Sequence, residues 1–241
     1  MSIRKSIPNA LTCANLLLGT FGVYFAILGR PDLTMWAVLL AALFDFFDGF
    51  AARILNAYSD IGKDLDSLAD LISFGFAPAT IISSFINFKL TGNWHSSFFE
   101  INIYHKVLLL SPFILTAFAA LRLAKFNNDT RQTENFIGLT TTATGMFVVS
   151  LGYILYKNKF NLTDKVEIWV MLLITAILSA LLVSEIPMFS LKFKSFKWKD
   201  NIHRYMLLII SLLAIIVMGI SALAVIIPIY VIYSIFLSLK K

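Results

Sequence analysis

Residues Leu43 to Arg53 read LFDFFDGFAAR, a nearly continuous apolar run that carries two carboxylates, Asp45 and Asp48, before it ends in Arg53. Thirteen residues past Arg53 come Asp66 and then Asp70, at the start of a second apolar run that continues as LISFGFAPA. A charged side chain deep in hydrocarbon costs about 2.5–3.5 kcal/mol on insertion scales, so these carboxylates need something to compensate them. The rest of the chain identifies the solvent. Of its 241 residues 59% are hydrophobic and 14% charged, with a mean hydropathy of +0.81. A soluble globular domain carries about 25% charged residues. This composition therefore predicts an all-α, polytopic membrane helical bundle that buries its apolar surface in a bilayer.

Hydrocarbon about 30 Å thick is crossed by about 20 apolar residues in a helix. On that measure the sequence predicts about eight transmembrane helices, over residues 11–29, 33–52, 66–88, 107–124, 138–156, 168–188, 205–220 and 222–238. The last two are joined tightly near Gly219 to Ser221. Arg4 and Lys5 precede the first span, but no clear small-residue cleavage pattern follows and more spans come after, so it reads as a helix and not a signal peptide. Residues 1–241 contain no Gly/Ser-rich linker and read as one membrane domain. The single cysteine, Cys13, excludes an intrachain disulfide framework.

Lysine and arginine in short loops set orientation. With a cytoplasmic N-terminus, the inside segments hold Arg4, Lys5, Arg53, Lys63, Arg122, Lys125, Arg131, Lys192, Lys194, Lys197, Lys199, Arg204, Lys240 and Lys241. The outside segments hold Arg30, Lys89, Lys106, Lys157, Lys159 and Lys165, which makes 14 inside against 6 outside of the 20 in the chain. Both termini and the turn that carries the carboxylates are expected in the cytoplasm, with the protein multi-pass in the cell inner membrane. The net charge of +6 fits anionic lipid headgroups better than nucleic acid. Leu191 to Lys199, LKFKSFKWK, alternates basic with apolar residues and reads either as an interfacial segment or as an ordinary cytoplasmic loop.

Asp45 and Asp48 are three apart and share a helix face. Gly49 and Ala52 continue that face as a small-residue strip where a helix or ligand can approach closely. Gly62, Asp66 and Asp70, spaced four apart, form a second stripe across the turn. Packed as an antiparallel hairpin, the two helices gather four carboxylates near the cytoplasmic end. Four anions in so small a space repel unless protonated or bridged by cations. Hard divalent ions with oxygen ligands, Mg²⁺ or Mn²⁺, answer that need as a two-metal site. Pairing with Arg53 or Lys63, or a wet helix end, is the simpler account of one such aspartate. It fits four at this spacing, with glycines on the same faces, far less well. Asp60 and Asp64 lie off the stripe and read as solvated.

The pattern Asp45-x2-Asp48-Gly49-x2-Ala52-Arg53-x8-Gly62-x3-Asp66-x3-Asp70 resembles the signature of the CDP-alcohol phosphotransferases at every fixed position. The resemblance implies transfer of a phosphatidyl or related group from a CDP-linked donor to an alcohol, with release of CMP. It implies metal binding by Asp45, Asp48, Asp66 and Asp70, with Asp70 also the general base, and a homodimer. Gly49, Ala52, Arg53 and Gly62 would then meet the CDP-diacylglycerol donor, with Ser59 at a weaker match. Arg53 has the planar fork of donors that suits phosphate. Ile7 to Asn15, IPNALTCAN, is similar to the family's first-helix entry, which implies donor contacts from Pro8, Asn9 and Thr12. A plain helix start capped by Asn9 or Thr12 reads the same residues without a ligand.

Asp70 to Ala79, Leu121 to Asn127 (LRLAKFN) and Ser184 to Lys194 (SEIPMFSLKFK) resemble the phosphatidylserine synthase branch of the family. With the signature, the resemblance covers residues 7–194 as a core and leaves 205–238 as two additional C-terminal helices. It implies L-serine as the acceptor. Lys125 stands where that branch more often has Arg, which weakens any anion-binding role at that position. Arg122 can meet the serine carboxylate, hold a lipid phosphate or snorkel to the interface. Within the family, glycerol phosphate or inositol phosphate as acceptor would call for a clustered basic pocket, for which Arg122 and Lys125 are thin support. From another class, an ion-coupled transporter also carries intramembrane carboxylates. Transporters place such sites near the midplane, often on inverted repeats, and neither feature is evident here.

Overall fold

The computed structural model describes residues 3–96, 98–129, 131, 136–157, 164–189 and 198–239. The chain enters as α1 (Ile3–Ile27) and turns back through Gly29 into α2 (Pro31–Ile54). Gly29 has a left-handed backbone (φ 66°), and a Cβ there would lie 2.4 Å from the Trp94 ring, so the turn admits only glycine. Pro31 opens α2 where a missing N–H costs nothing. Asn56, left-handed at φ 47°, then reverses the chain into α3 (Asp60–Asp70), whose first turn is capped by Ser59 Oγ accepting from Gly62 N at 3.1 Å.

From α3 the helix runs without a break through a π-helical turn, Leu71–Phe76, into α4 (Ala77–Thr91). Asp60–Thr91 is thus one apolar run of 32 residues. Then follow α5 (Ile103–Leu110) and α6 (Ile114–Asn128), joined through a 3₁₀ segment at Ser111–Phe113 into one helical run. The remaining helices are α7 (Thr141–Tyr156), α8 (Asp164–Val183), α9 (Trp198–Met218) and α10 (Leu223–Leu239). Among the described residues the architecture is all-α apart from a two-residue ladder, in which β1 (Phe136–Ile137) pairs antiparallel with β2 (Pro187–Met188).

Among the described residues, six helical runs are long and apolar enough to cross a membrane, against the eight spans expected. Two features account for the difference. α7 has only 16 residues, about 24 Å at 1.5 Å per residue. It is largely buried, packed against α2, α10 and the π turn. Asn201–Leu239 forms a single run of 39 residues, but Gly219 (φ 59°) and a 3₁₀ turn over Gly219–Ala222 divide it. The sixth expected span, 168–188, also ends early: α8 stops at Val183 because Pro187 lacks a backbone N–H and forces the chain out of the helix. Of the LKFKSFKWK stretch, residues 191–197 lie outside the described residues.

Close approach of backbones organises the centre. Added Cβ atoms would lie 2.7 Å from Ser73 Cα at Gly19 and 2.8 Å from Phe74 Cα at Gly145, so α1 and α7 both press directly on the π turn. Phe74 between them is fully buried, with Met35, Val38, Ala41, Ala77 and Val149 packed around it. The helix that carries Asp66 and Asp70 is therefore held from two sides.

Candidate active site

Asp45 and Asp48 from α2 meet Asp66 from α3, and one carboxylate oxygen of each lies within 4.8 Å of the others. Asp48 Oδ2 and Asp66 Oδ1 are buried and have no hydrogen-bond partner in the protein. Among the described residues no ion pair reaches the trio. Arg53 folds back so that Nε donates to Gly49 O at 3.0 Å, and Lys63 Nζ donates to Asn127 O at 2.7 Å. The simple pairing account thus fails on geometry. Clustered carboxylates with unpartnered buried oxygens suit a hard divalent cation, so the donor set fits the metal that the sequence pattern implies.

Asp70 is also buried, 8% exposed, and is not a member of that close trio. Its carboxylate lies within Coulombic range of Asp45, Asp66 and Asp48. Asn15 Nδ2 of α1 donates to Asp70 Oδ1 at 3.2 Å. Asp60 and Asp64 are exposed, as the stripe pattern predicted.

Beside the trio opens a cavity of about 210 Å³ lined by Pro8, Asn9, Thr12, Asp48, Gly49, Ala52, Ala57, Tyr58, Ser59, Gly62, Lys63 and Asp66. Seven of the eight expected donor contacts line it: Pro8, Asn9, Thr12, Gly49, Ala52, Ser59 and Gly62. Arg53, turned back on Gly49, does not. A Cβ at Gly49 would meet nothing within 4 Å, so this glycine keeps open space, whereas at Gly62 it would crowd Ser59 Oγ at 3.0 Å and Asn9 Oδ1 at 3.1 Å. Ser59 and Thr12 have structural roles too, as the cap of α3 and as donor to Pro8 O at 3.1 Å. Ala57 and Tyr58 were not expected at the site, and Lys63, considered as a partner for an aspartate, lines the cavity instead. Their positions in the turn are the signal that was available.

A second cavity, of about 440 Å³, lies between the end of α6 and the end of α8, where β1 and β2 clamp the two connections together. Arg122, Lys125, Asn128, Asp129, Arg131, Ser184 and Glu185 supply its polar wall. Arg122 is buried, donates to Thr141 Oγ1 at 3.3 Å and lies 4.7 Å over the Phe126 ring, so it does not snorkel outward. Arg122 is also within Coulombic range of Asp70. Arg131 Nη2 pairs with Asp129 at 2.8 Å and with Glu185 at 3.2 Å, and Lys125 approaches Glu185 at 3.9 Å. The hydrogen bond to Asp129 raises the Arg131 pKa still further above its ordinary value. Both signs of charge meet in one wall.

A family model described as CDP-alcohol phosphatidyltransferase matches residues 5–182. The chain belongs to the CDP-alcohol phosphatidyltransferase family. Among relatives in this family, the chain is 31% identical over 230 residues to the CDP-diacylglycerol–serine O-phosphatidyltransferase of Helicobacter pylori (strain ATCC 700392 / 26695), covering 95% of this chain and 89% of that one. The enzyme of the same name from Bacillus subtilis (strain 168) is 31% identical over 61% of this chain and 75% of its own. That of Saccharomyces cerevisiae is 36% identical over 56% of this chain and 47% of its own. The carboxylate trio, Asp70 and the first cavity all lie inside the segment that defines the family.

Proposed function

We propose that the protein transfers a phosphatidyl group from CDP-diacylglycerol to L-serine, giving phosphatidylserine and CMP. The observation that carries this reading is the carboxylate trio opening on the first cavity, within a chain whose relatives bear that enzyme name. Asp45, Asp48 and Asp66, with Asp70, would hold two divalent cations, Mg²⁺ or Mn²⁺. Bound there, such ions supply charge neutralisation to the donor pyrophosphate and to the oxygens that attack and leave. The protein's own residues do the positioning that phosphoryl transfer demands. Pro8, Asn9, Thr12, Gly49, Ala52, Ser59 and Gly62 seat the nucleotide part, and Arg53 reaches the phosphates by leaving its contact with Gly49 O.

Asp70 takes the proton of the serine hydroxyl as the serine oxygen bonds to the phosphorus that bears diacylglycerol. The pyrophosphate P–O bond breaks, and CMP leaves with the electron pair. The second cavity supports serine over a phosphorylated acceptor. Its wall presents Arg122 for a carboxylate, and Asp129 and Glu185 offset Arg131 and Lys125, which suits a zwitterion better than a dianion. The reading includes one membrane domain over residues 1–241 and eight spans, with α7 a short buried one and α9 and α10 separated at Gly219. It also includes cytoplasmic termini, an active site facing the cytoplasm, a cell inner membrane location and a homodimer.

The test is an acceptor panel on the purified protein with CDP-diacylglycerol and Mg²⁺ or Mn²⁺. CMP release should require serine and stay at background with glycerol 3-phosphate, inositol or inositol phosphate. Release with a phosphorylated acceptor and none with serine would overturn the assignment.

A further inference from the structure

Asn15 is fully buried in the middle of an apolar helix, where a leucine would fill the same space without polar atoms. Its Nδ2 donates to Asp70 Oδ1 at 3.2 Å, across 55 residues of sequence. An ionised carboxylate only accepts, so it fixes which end of the amide faces it. The other end, Asn15 Oδ1, is buried with no partner in the protein. A buried acceptor left unpaired works against folding. The polarity of this residue is therefore accounted for by its contact with Asp70 and not by packing.

The backbone is arranged around the same contact. Ser73 lies in the π turn that follows Asp70, and its Oγ donates to Asn15 O at 3.0 Å. A Cβ at Gly19 would lie 2.2 Å from that hydroxyl, so the absence of a side chain lets α1 seat here. π turns insert one residue into a helix and recur at functional sites. Here the turn follows directly on Asp70, and α1 is fastened to Asp70 just before it and to Ser73 within it.

We propose that Asn15 is a positioning residue for Asp70. Its amide engages Oδ1 and fixes the plane of the carboxylate, so that Oδ2 is the oxygen presented to the acceptor hydroxyl. The proposal rests on the role assigned above to Asp70.

A double-mutant cycle on single-turnover CMP release tests it, with wild type, Asn15→Ala, Asp70→Asn and the combined variant. Asn15→Ala should slow turnover by about 10–100-fold, the usual cost of losing a partner that orients a functional group. KM for CDP-diacylglycerol should stay within about twofold. In the Asp70→Asn background the same change should cost less than about threefold, because no carboxylate remains to be oriented. Equal losses in both backgrounds are what a packing role gives, and they would overturn the proposal. Ser73→Ala, which loosens helix packing without touching the Asn15 amide, should leave the rate within about threefold. If Asn15→Ala does not accumulate in the membrane, Asn15→Ser enters the same cycle with the same expectation. Titration with Mn²⁺ followed by electron paramagnetic resonance gives a readout apart from turnover. The tightest Mn²⁺ site of Asn15→Ala should match wild type, since the trio is untouched, and a loss of Mn²⁺ binding in step with the rate would also overturn the proposal. A wild-type protein inactive with serine defeats the acceptor assignment instead, and the cycle is then run with whichever acceptor the panel finds.

Discussion

Asp45, Asp48 and Asp66 gather beside the first cavity, which Asp48 and Asp66 line, and no described cationic side chain pairs with them, although Arg53 and Lys63 sit only a few residues away. Both cations are spent on main-chain carbonyls instead. If divalent ions provide the missing charge, EDTA abolishes CMP release and Mg²⁺ or Mn²⁺ restores it. Replacing a partner that merely orients a metal ligand costs about 10–100-fold. Asp45→Asn, Asp48→Asn and Asp66→Asn, which remove ligands themselves, should each lower turnover beyond that range while the protein still inserts and purifies. Full activity in chelator would refute the metal assignment. Asp70→Asn should behave differently. Donor binding survives on the trio, but the amide cannot take the serine proton, and loss of a general base costs about 10²–10⁴-fold. Measuring CDP-diacylglycerol binding beside single-turnover CMP release separates the two effects, and near-normal turnover by Asp70→Asn would assign the base elsewhere.

The helix that carries Asp66 and Asp70 continues through the π turn into α4, so the far end of α4 is mechanically joined to the site. At that end Lys89 Nζ pairs with Glu167 Oε2 at 2.7 Å and with Asp164 Oδ1 at 2.9 Å, which ties α4 to α8. Glu167 is only 4% exposed. Removing one partner of a buried pair costs up to about 3–5 kcal/mol because it strands the other charge. Lys89→Met should therefore lower the thermal midpoint in detergent, and adding Glu167→Leu should recover most of the loss. If the double variant is no more stable than Lys89→Met, the pair is not what couples the helices. The element scale is also where sequence reading needed revision. Runs of about 20 apolar residues located helices along most of the chain, but they did not show that Pro187 gives the chain after Val183 to a strand that pairs with Phe136–Ile137.

At the scale of the whole molecule the basic loops and the carboxylates point the same way. The turn at Gly62, the trio and the second cavity lie on the side of the spans where lysine and arginine are in excess, the side that the proposed orientation puts in the cytoplasm. In a Cys13→Ala background, a cysteine placed at Asp60 should react with an impermeant maleimide only from the cytoplasmic side, and one at Glu100, in the loop between α4 and α5, only from outside. Labelling of the Asp60 position from outside would reverse the orientation and the proposed side of catalysis. Cross-linking in native membranes, with dimers as the expected product, checks the oligomeric state.

The sequence by itself determined the solvent and the chemistry. A chain this apolar has to put its helices in a bilayer, and aspartates at i, i+3 and i, i+4 intervals have to share helix faces, because the 3.6-residue turn fixes what lies on one side of a helix. The resemblance of short motifs, not helix geometry, named the eight expected donor residues, of which seven line the first cavity. Tertiary structure alone decided which groups meet across helices. Arg53 turned onto Gly49 O, a choice among rotamers that no spacing dictates. Asn15 came to Asp70, and Arg131 to Glu185, across 55 and 54 residues of chain. Such contacts depend on the angle and depth at which α1 seats on the π turn and on the β1–β2 ladder that brings two connections together. Packing of glycines against backbone sets both, and that is a property of the assembled bundle.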